Sequence, residues 1–511
     1  MTRRRGTGGV CTFGMALAVG LAAAASAQQP GKKPPPPPVD RATQLAEGQT
    51  LFLRDWLKEG RLNPTGDGLG PMYNAASCVA CHKQQGVGGG GPDENNVDLL
   101  SIARHDLNRR AANRSKILDG ARKDVHPGFA DNVTSLVLHK IGPQTPFYNL
   151  QDKHYAALRD RIIGERTFVV RGKRVTQKLL ARERPARKFG RVTVRFSQRN
   201  TPALFGAGQI DAIPDSVILD EAEQQRKRKR KTGISGRVPQ TFTGAVGRFG
   251  WRGQTATLHD FVLGACANEL GLEVPGNAQP RSPNENVALS NGRLPIATAD
   301  EKKFDLTDAQ CRSITAFIAN LPAPGRARKL PLQTAKVVAS GEKLFAAVGC
   351  AVCHKPDLGS VQGLYSDMLL HDLGRRLYDP APATPEITAE TASILSSGGY
   401  YGGNGIPAIA KITTNIEQEW RTPPLWGVAD SAPYLHDGRA KTLEVAIGWH
   451  GGEATLSLKY YKRLKPKQRQ ELVAFLRSLV APGSRTQPGA TPAGGLGFGG
   501  AVFSVSATSG R

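Results

Sequence analysis

The chain has 511 residues, enough for about three domains at roughly 150 residues each. Hydrophobic residues make up 39% and charged residues 22%, which excludes general disorder and fits a globular chain with a sizeable core. The net charge of +25 raises nucleic acid as a partner, but the cations are spread along the chain and no familiar nucleic-acid module is present, so none is expected.

In chain order, Arg3, Arg4 and Arg5 precede an apolar stretch from Met15 to Ala25 and a small-x-small site, Ala25-Ser26-Ala27. This pattern predicts a signal peptide over 1–27 and a mature chain that is exported and periplasmic. No later apolar run reaches the ~20 residues of a membrane span, so the mature chain is expected to lack one. Pro34 to Pro38 make 28–40 a stiff linker. The Gly-, Ser-, Thr- and Ala-rich stretch 485–511 reads as a disordered tail.

Six of the seven cysteines lie beyond the signal segment, and four of them fall in two identical spacings. Cys78-Val79-Ala80-Cys81-His82 and Cys350-Ala351-Val352-Cys353-His354 are both C-x-x-C-H. That spacing marks a covalent c-type haem, with the two thiols on the porphyrin and the adjacent His82 or His354 under the iron. Zinc would need paired knuckles with further ligands near by. A disulfide oxidoreductase would carry one C-x-x-C in a βαβ pattern. Cys266 and Cys311 remain, as a disulfide or as two buried thiols.

The chain repeats itself around these motifs. Ala46 to Phe52 matches Ala339 to Phe345, Thr201 to Gly206 matches Thr422 to Gly427, Trp251 to Leu258 matches His436 to Leu443, and Ala316 to Gly325 matches Ala474 to Gly483. The order is the same in both halves and the first half carries insertions. A haem domain over 41–328 and a compact one over 330–484 are therefore expected. Helical periodicity predicts helices over Leu332 to Val348 and Gln468 to Val480. The fold class is mostly α, two cytochrome c-like haem domains in tandem. The dense basic run Arg226 to Lys231 reads as a solvated loop or as a docking surface for an acidic electron-donor protein.

At this point the chain resembles the bacterial di-haem cytochrome c peroxidase superfamily, and more narrowly its di-haem oxidoreductases, described as peroxidases or thiol oxidoreductases. The strings that carry this are RNTPALFGAGQIDAIPD (199–215), FGWRGQTATL (249–258), YSDMLLHDLG (365–374), WRTPPLWGV (420–428) and YLHDGRAKTLEVAIGWHGGEA (434–454). The resemblance covers residues 41–484 and implies two haems and room for a structural calcium. It implies that the second haem relays electrons, with a ligand fourteen residues after the His of His-Asp-Gly. That places His450 after His436, where the family's peroxidases have Met. Met368 and His371 are the rival ligands.

By the repeat, His450 corresponds to Ala265, which cannot bind iron. The first haem is then open, or closed by a residue from elsewhere, with His105, His126, His139 and His154 as candidates. Trp251 matches the family's Trp between the haems, and Glu269 approximates its distal acid–base carboxylate. The family's Gln ten residues after the Trp is Phe261 here, which weakens the peroxidase reading. Arg199 and Arg421 are candidate partners of haem propionates, with His436 beside them, although structural arginines fit as well. The implied activity is reduction of hydrogen peroxide, or a related high-valent haem oxidation, with electrons from a small cytochrome or cupredoxin. The alternative is a non-catalytic di-haem electron carrier.

Overall fold

A computed structural model describes residues 40–102, 135–142, 162–170, 173–180, 186–189, 192–241, 244–280, 303–327, 330–379 and 416–484. The expected signal segment, nearly all of the linker, the tail, and His105, His126 and His154 lie outside the described residues. Among the described residues no helix is long and apolar enough to cross a membrane.

The body is mostly α. The helices that shape the site are α1 (Arg41–Leu53), α2 (Cys78–Cys81), α3 (Asp215–Thr232), α4 (Leu258–Leu270), α5 (Asp308–Ala319), α6 (Leu332–Ala347), α7 (Leu443–Trp449) and α8 (Pro466–Leu476). Two helix pairs, α1 with α5 and α6 with α8, cross in the same way. Gly48 lies against α5 so closely that a Cβ would stand 1.9 Å from the Ser313 carbonyl oxygen. Gly341 makes the same approach to α8, with a Cβ 1.9 Å from the Glu471 carbonyl oxygen. Each crossing carries one serine–glutamate hydrogen bond: Ser313 Oγ donates to Glu47 Oε2 at 2.6 Å, and Ser340 Oγ to Glu471 Oε2 at 2.7 Å.

The same two crossings bury a tilted aromatic pair. Phe52 and Phe317 stand 5.4 Å apart, and Phe345 and Phe475 stand 5.3 Å apart. Phe52, Phe345 and Phe475 are almost fully buried. Burial of one such ring stabilises by about 1.5–3 kcal/mol. The apolar core of the first half gathers on Phe52, Leu258, Cys266, Cys311 and Ile314, and that of the second on Phe345, Tyr365, Leu472 and Phe475.

The insertion of the first half builds β-structure that the periodicity did not suggest. Strands β1 (Val97–Ile102), β2 (Ser135–Leu138), β3 (Ile162–Val170), β4 (Lys173–Leu180), β5 (Ala186–Phe189) and β6 (Val192–Arg199) follow one another. They form an antiparallel sheet in the order β2-β1-β6-β5 and a separate β3-β4 pair. In β1, Leu99 pairs with Val137 on one side and Ser197 on the other. All six residues of β1 are buried, so the strand lacks the in–out alternation of a half-exposed one. Short ribbons complete the fold: β7 (Gly325–Arg326) with β10 (Leu479–Val480), and β8 (Leu370–Asp372) with β9 (Glu419–Arg421), where His371 faces Trp420 in register.

Two expectations are corrected. The helix expected over Gln468 to Val480 is α8, Pro466–Leu476, which starts with Pro at its first position and stops before β10. The basic run Arg226 to Lys231 is no loop but the last turns of α3. Lys and Arg are good helix formers, and Arg226 and Lys227 both pair with Glu223 one turn back.

Candidate haem site

The two C-x-x-C-H motifs adopt the same tight turn. The N–H of His82 donates to the Cys78 carbonyl at 3.0 Å, and that of His354 to the Cys350 carbonyl at 3.0 Å. Ser77 caps the first turn by accepting from Ala80 N, while Gly349, at φ +89°, turns the chain into the second. The turn aims each imidazole inward. His82 Nδ1 faces the Pro202 carbonyl at 3.1 Å and His354 Nδ1 faces the Tyr365 carbonyl at 3.1 Å. A carbonyl accepts only, so Nδ1 carries the proton and Nε2 keeps its lone pair for a metal. Desolvation pushes both histidines down to about 4, so both are neutral at physiological pH. Desolvation pushes Cys78 and Cys350 up to about 12.

Both motifs open on one cavity of about 420 Å³. Its walls include Cys78, Cys81, His82, Cys350, Cys353 and His354, together with Trp251, Glu269, Arg421 and His450. Two threonine-capped helices, α4 and α7, add residues to these walls. Thr257 Oγ accepts from Asp260 N at the start of α4, and Thr442 Oγ from Val445 N at the start of α7. The two helices then diverge. α7 ends at Trp449 with His450 as its cap, whereas α4 runs on to Leu270.

His450 faces the second motif. Its Nδ1 faces the Ala446 carbonyl at 2.9 Å, and its ring lies 6.4 Å from the ring of His354, centroid to centroid. Two metal–imidazole bonds of about 2.0–2.1 Å with two ring radii of roughly 1.2 Å span about that distance. The equivalent position in α4 is Ala265, in the wall of the cavity. Phe261, Ala265 and Glu269, spaced by four residues, form one stripe of α4 along that wall. Asn74 Nδ2 donates to Glu269 Oε2 at 2.6 Å and orients the carboxylate.

The rival ligands are engaged elsewhere. Met368 is fully buried in the apolar core, where its sulfur accepts from Arg421 Nη1 at 3.3 Å. His371 is held at both nitrogens: Nε2 by Asp367 Oδ2 at 2.9 Å and Nδ1 by Glu453 Oε2 at 2.7 Å. Burial alone would lower His371, but Cys353 and Asp367 oppose it and raise the imidazole above its usual value. His139 Nε2 faces the Asn268 carbonyl at 2.9 Å, behind α4. Cys266 and Cys311 are buried free thiols.

The remaining candidates line one seam. Trp251 Nε1 donates to the Asn200 carbonyl at 3.0 Å, and Asn200 N to the His436 carbonyl at 2.7 Å. His436 stacks on Trp420 with centroids 3.6 Å apart and planes 11° from parallel. Arg199 is taken by Asp379, at 2.8 and 3.3 Å. Arg421 donates to the Gly250 carbonyl at 3.1 Å but forms no ion pair among the described residues, and burial pushes it down to about 10. Sequence reasoning missed the Pro202 and Tyr365 carbonyls, although both residues sit in the strings that carried the family resemblance. It also missed the Asp367–His371–Glu453 clamp and Arg252, which lies 4.3 Å over Trp420.

Two histidine-bearing turns facing one cavity, each with Nδ1 anchored on a carbonyl, suit a di-haem protein. A family described as "Di-haem oxidoreductase, putative peroxidase" matches residues 184–391 and 403–479, over half of the chain, and the chain belongs to it. Among curated relatives, it is 29% identical over 310 residues to cytochrome c551 peroxidase of Pseudomonas aeruginosa, covering 58% of this chain and 76% of that protein. It is 29% identical to hydrazine synthase subunit gamma of Kuenenia stuttgartiensis over 27% of this chain, spanning only 40% of that relative. It is also 29% identical to cytochrome-c peroxidase IdrP1 of a Pseudomonas strain over 27% of this chain, spanning 38% of that relative.

Proposed function

We propose that this protein is an exported di-haem peroxidase. Electrons enter at a haem held by the Cys350–His354 motif and reach hydrogen peroxide at a haem held by the Cys78–His82 motif. The observation that carries the reading is the contrast between His450, 6.4 Å from His354, and Ala265, its counterpart in the repeat, which lines the same cavity as His82 and offers no ligand atom. The donor sets fit the group: neutral imidazoles with Nδ1 anchored, paired cysteines on the same turn, and a half-buried Arg421 that forms no ion pair among the described residues. Such a cation suits a propionate. A haem iron bound there would supply the change of oxidation state and a site for the oxidant.

The chain's own residues then have distinct tasks. His82 and His354 would ligate the haem irons through Nε2, with their tautomer set by the Pro202 and Tyr365 carbonyls. Reduction of peroxide to two waters takes up two electrons and two protons. Glu269, on the stripe one turn past Ala265, is the carboxylate that moves a proton at the peroxide oxygen. Trp251 stands in the cavity wall with its N–H tied to Asn200, so its indole is held in one orientation on the way from one motif to the other. A structural calcium would need oxygen donors. The group of three gathered ligand atoms among the described residues is Cys353, Asp367 and His371, which offers one carboxylate.

Phe261 favours a second reading. It puts an apolar ring in the wall beside Ala265, where a polar distal group would assist peroxide, and so supports a non-catalytic electron carrier. Optical and electron paramagnetic resonance spectra of the purified holoprotein, oxidised and half-reduced, separate the two. One high-spin and one low-spin haem is the peroxidase result. Two low-spin haems at every stage would leave the carrier.

A further inference from the structure

The geometry points to the basic end of α3 as the docking site for an acidic electron-donor protein, an inference that rests on the electron-relay reading of the Cys350–His354 motif. The inner face of α3 is seated directly on that motif and the segment after it. Gln225 Nε2 donates to the Val352 carbonyl, between the two cysteines, at 3.3 Å and to Asp367 Oδ2 at 2.7 Å. Glu221 pairs with Lys355, the residue after the motif histidine. Val217 lies so close that a Cβ on Gly359 would stand 3.2 Å from its Cγ1. From Gln225 onward the helix carries Arg226, Lys227, Arg228, Lys229, Arg230 and Lys231, all exposed. At about 1.5 Å of rise per residue, this block begins next to Gln225 and ends roughly 9 Å along the axis.

Helix stability alone accounts for only part of the charge. Cations in the last turn complement the helix dipole, which concerns Lys229 to Lys231 at most. Glu223 absorbs Arg226 and Lys227. Arg228, Lys229, Arg230 and Lys231 form no ion pair among the described residues, and six adjacent cations repel one another. An exposed field of one sign, fixed by buried contacts to the motif that would take up electrons, suits a partner of opposite sign. Such a field raises the rate of encounter more than the final affinity. The committed partner is a small acidic redox protein that delivers one electron per encounter: cuprous donor to cupric, ferric haem to ferrous.

The test uses the holoprotein and a variant with Arg228→Gln, Lys229→Gln, Arg230→Gln and Lys231→Gln. Glutamine keeps helix propensity, and none of the four residues lines the cavity. The probe is a reduced acidic blue-copper protein, whose blue absorption returns as it is oxidised in a stopped-flow mixer. A basic blue-copper protein and ascorbate serve as controls. At low salt the variant should lose about tenfold or more of the association rate with the acidic probe, and most of its salt dependence. The rate with ascorbate should not change.

If ascorbate reduces the haem of the second motif equally in both proteins and the acidic probe reacts equally with both, the docking site is overturned while the relay reading stands. If reduction begins at the haem of the first motif with every reductant, the relay reading falls, and the docking site with it. If the substitutions abolish binding to phosphatidylserine vesicles but leave oxidation of the acidic probe unchanged, the basic end serves a membrane surface and the proposal is overturned.

Discussion

The ring of His450 stands 6.4 Å from the ring of His354, tilted by 59°. This distance marks a difference between two halves that share their helix crossings and motif turns. The glycine crossings, the serine–glutamate bonds, the aromatic pairs and the motif turns recur in both halves. The difference comes from where a helix stops. α7 breaks at Trp449 and exposes His450 at its cap, while α4 continues for another turn and presents Ala265 and then Glu269. On the proposed reading, one helix end offers a ligand and the other a proton-bearing group.

His450→Ala should therefore change the second haem alone. That haem should go from low to high spin, and its reduction by a protein donor should no longer pass electrons onward. Met368 is enclosed in the core and His371 is clamped by two carboxylates, so neither is expected to take its place. Electron paramagnetic resonance at low temperature reads both haems at once. A variant that stays wholly low-spin would move the ligand away from His450.

The glycine crossings set a stability expectation. Gly48→Ala or Gly341→Ala places a methyl group 1.9 Å from a backbone oxygen that belongs to a helix and cannot step aside. Such overpacking costs about 1–3 kcal/mol, more than the ~1 kcal/mol that Ala gains over Gly within a helix. Each variant should melt at lower temperature by calorimetry, with the haem spectra of the opposite half unchanged. A rise in melting temperature would show that the crossings are looser than described.

Much of this was legible in the sequence because the chemistry of attachment is local. Two cysteines and a histidine on one turn need a fixed spacing, and Gly48 and Gly341 stand at matched places in the repeated anchor. The clamp on His371 was not legible, since Glu453 lies 82 residues from it and nothing local links them. The sheet was missed because β1 is buried on both faces and lacks alternation. α3 was misread because its seat uses Glu221 and Gln225, polar residues that carry no apolar period. Periodicity finds elements that bury apolar stripes, and the apolar contacts of α3, through Val217, Ile218 and Ala222, all lie before its basic half.

Acid should attack the seam through Asp379. Its side chain is 4% exposed and is paired with Arg199, itself 2% exposed. Burial alone would raise the carboxyl, but Arg199, His436 and Arg252 outweigh it and hold it well below the ordinary 3.8. A carboxyl lowered in the folded state contributes stability above its unfolded value and loses it as pH falls through the folded one. Urea melts of the wild type should therefore lose stability steeply below about pH 4. Asp379→Asn should cost about 3–5 kcal/mol at pH 7, because it strands Arg199, and its stability should fall less steeply in acid. Parallel acid limbs for the two proteins would show that Asp379 is not held low.

The stripe Phe261–Ala265–Glu269 on α4 allows the reactive side to be tested from both ends. Glu269→Gln keeps the Asn74 contact geometry and removes only the exchangeable proton, so both haem spectra should stay nearly as they are. Turnover with peroxide should fall by about 10²–10⁴, the usual worth of a positioned acid–base group. Ala265→His works by competition instead: an imidazole one turn before Glu269 would contend with the oxidant for the open axial position. That variant should convert the high-spin signal of the first haem toward low spin and lower turnover in proportion, with the second haem unaltered. The pair separates two causes of lost activity, because one variant keeps the open position and loses the proton, and the other does the reverse. Full turnover in Glu269→Gln would remove the carboxylate from the reaction. An unchanged spectrum in Ala265→His would mean that this face of α4 does not look onto the iron of the first motif.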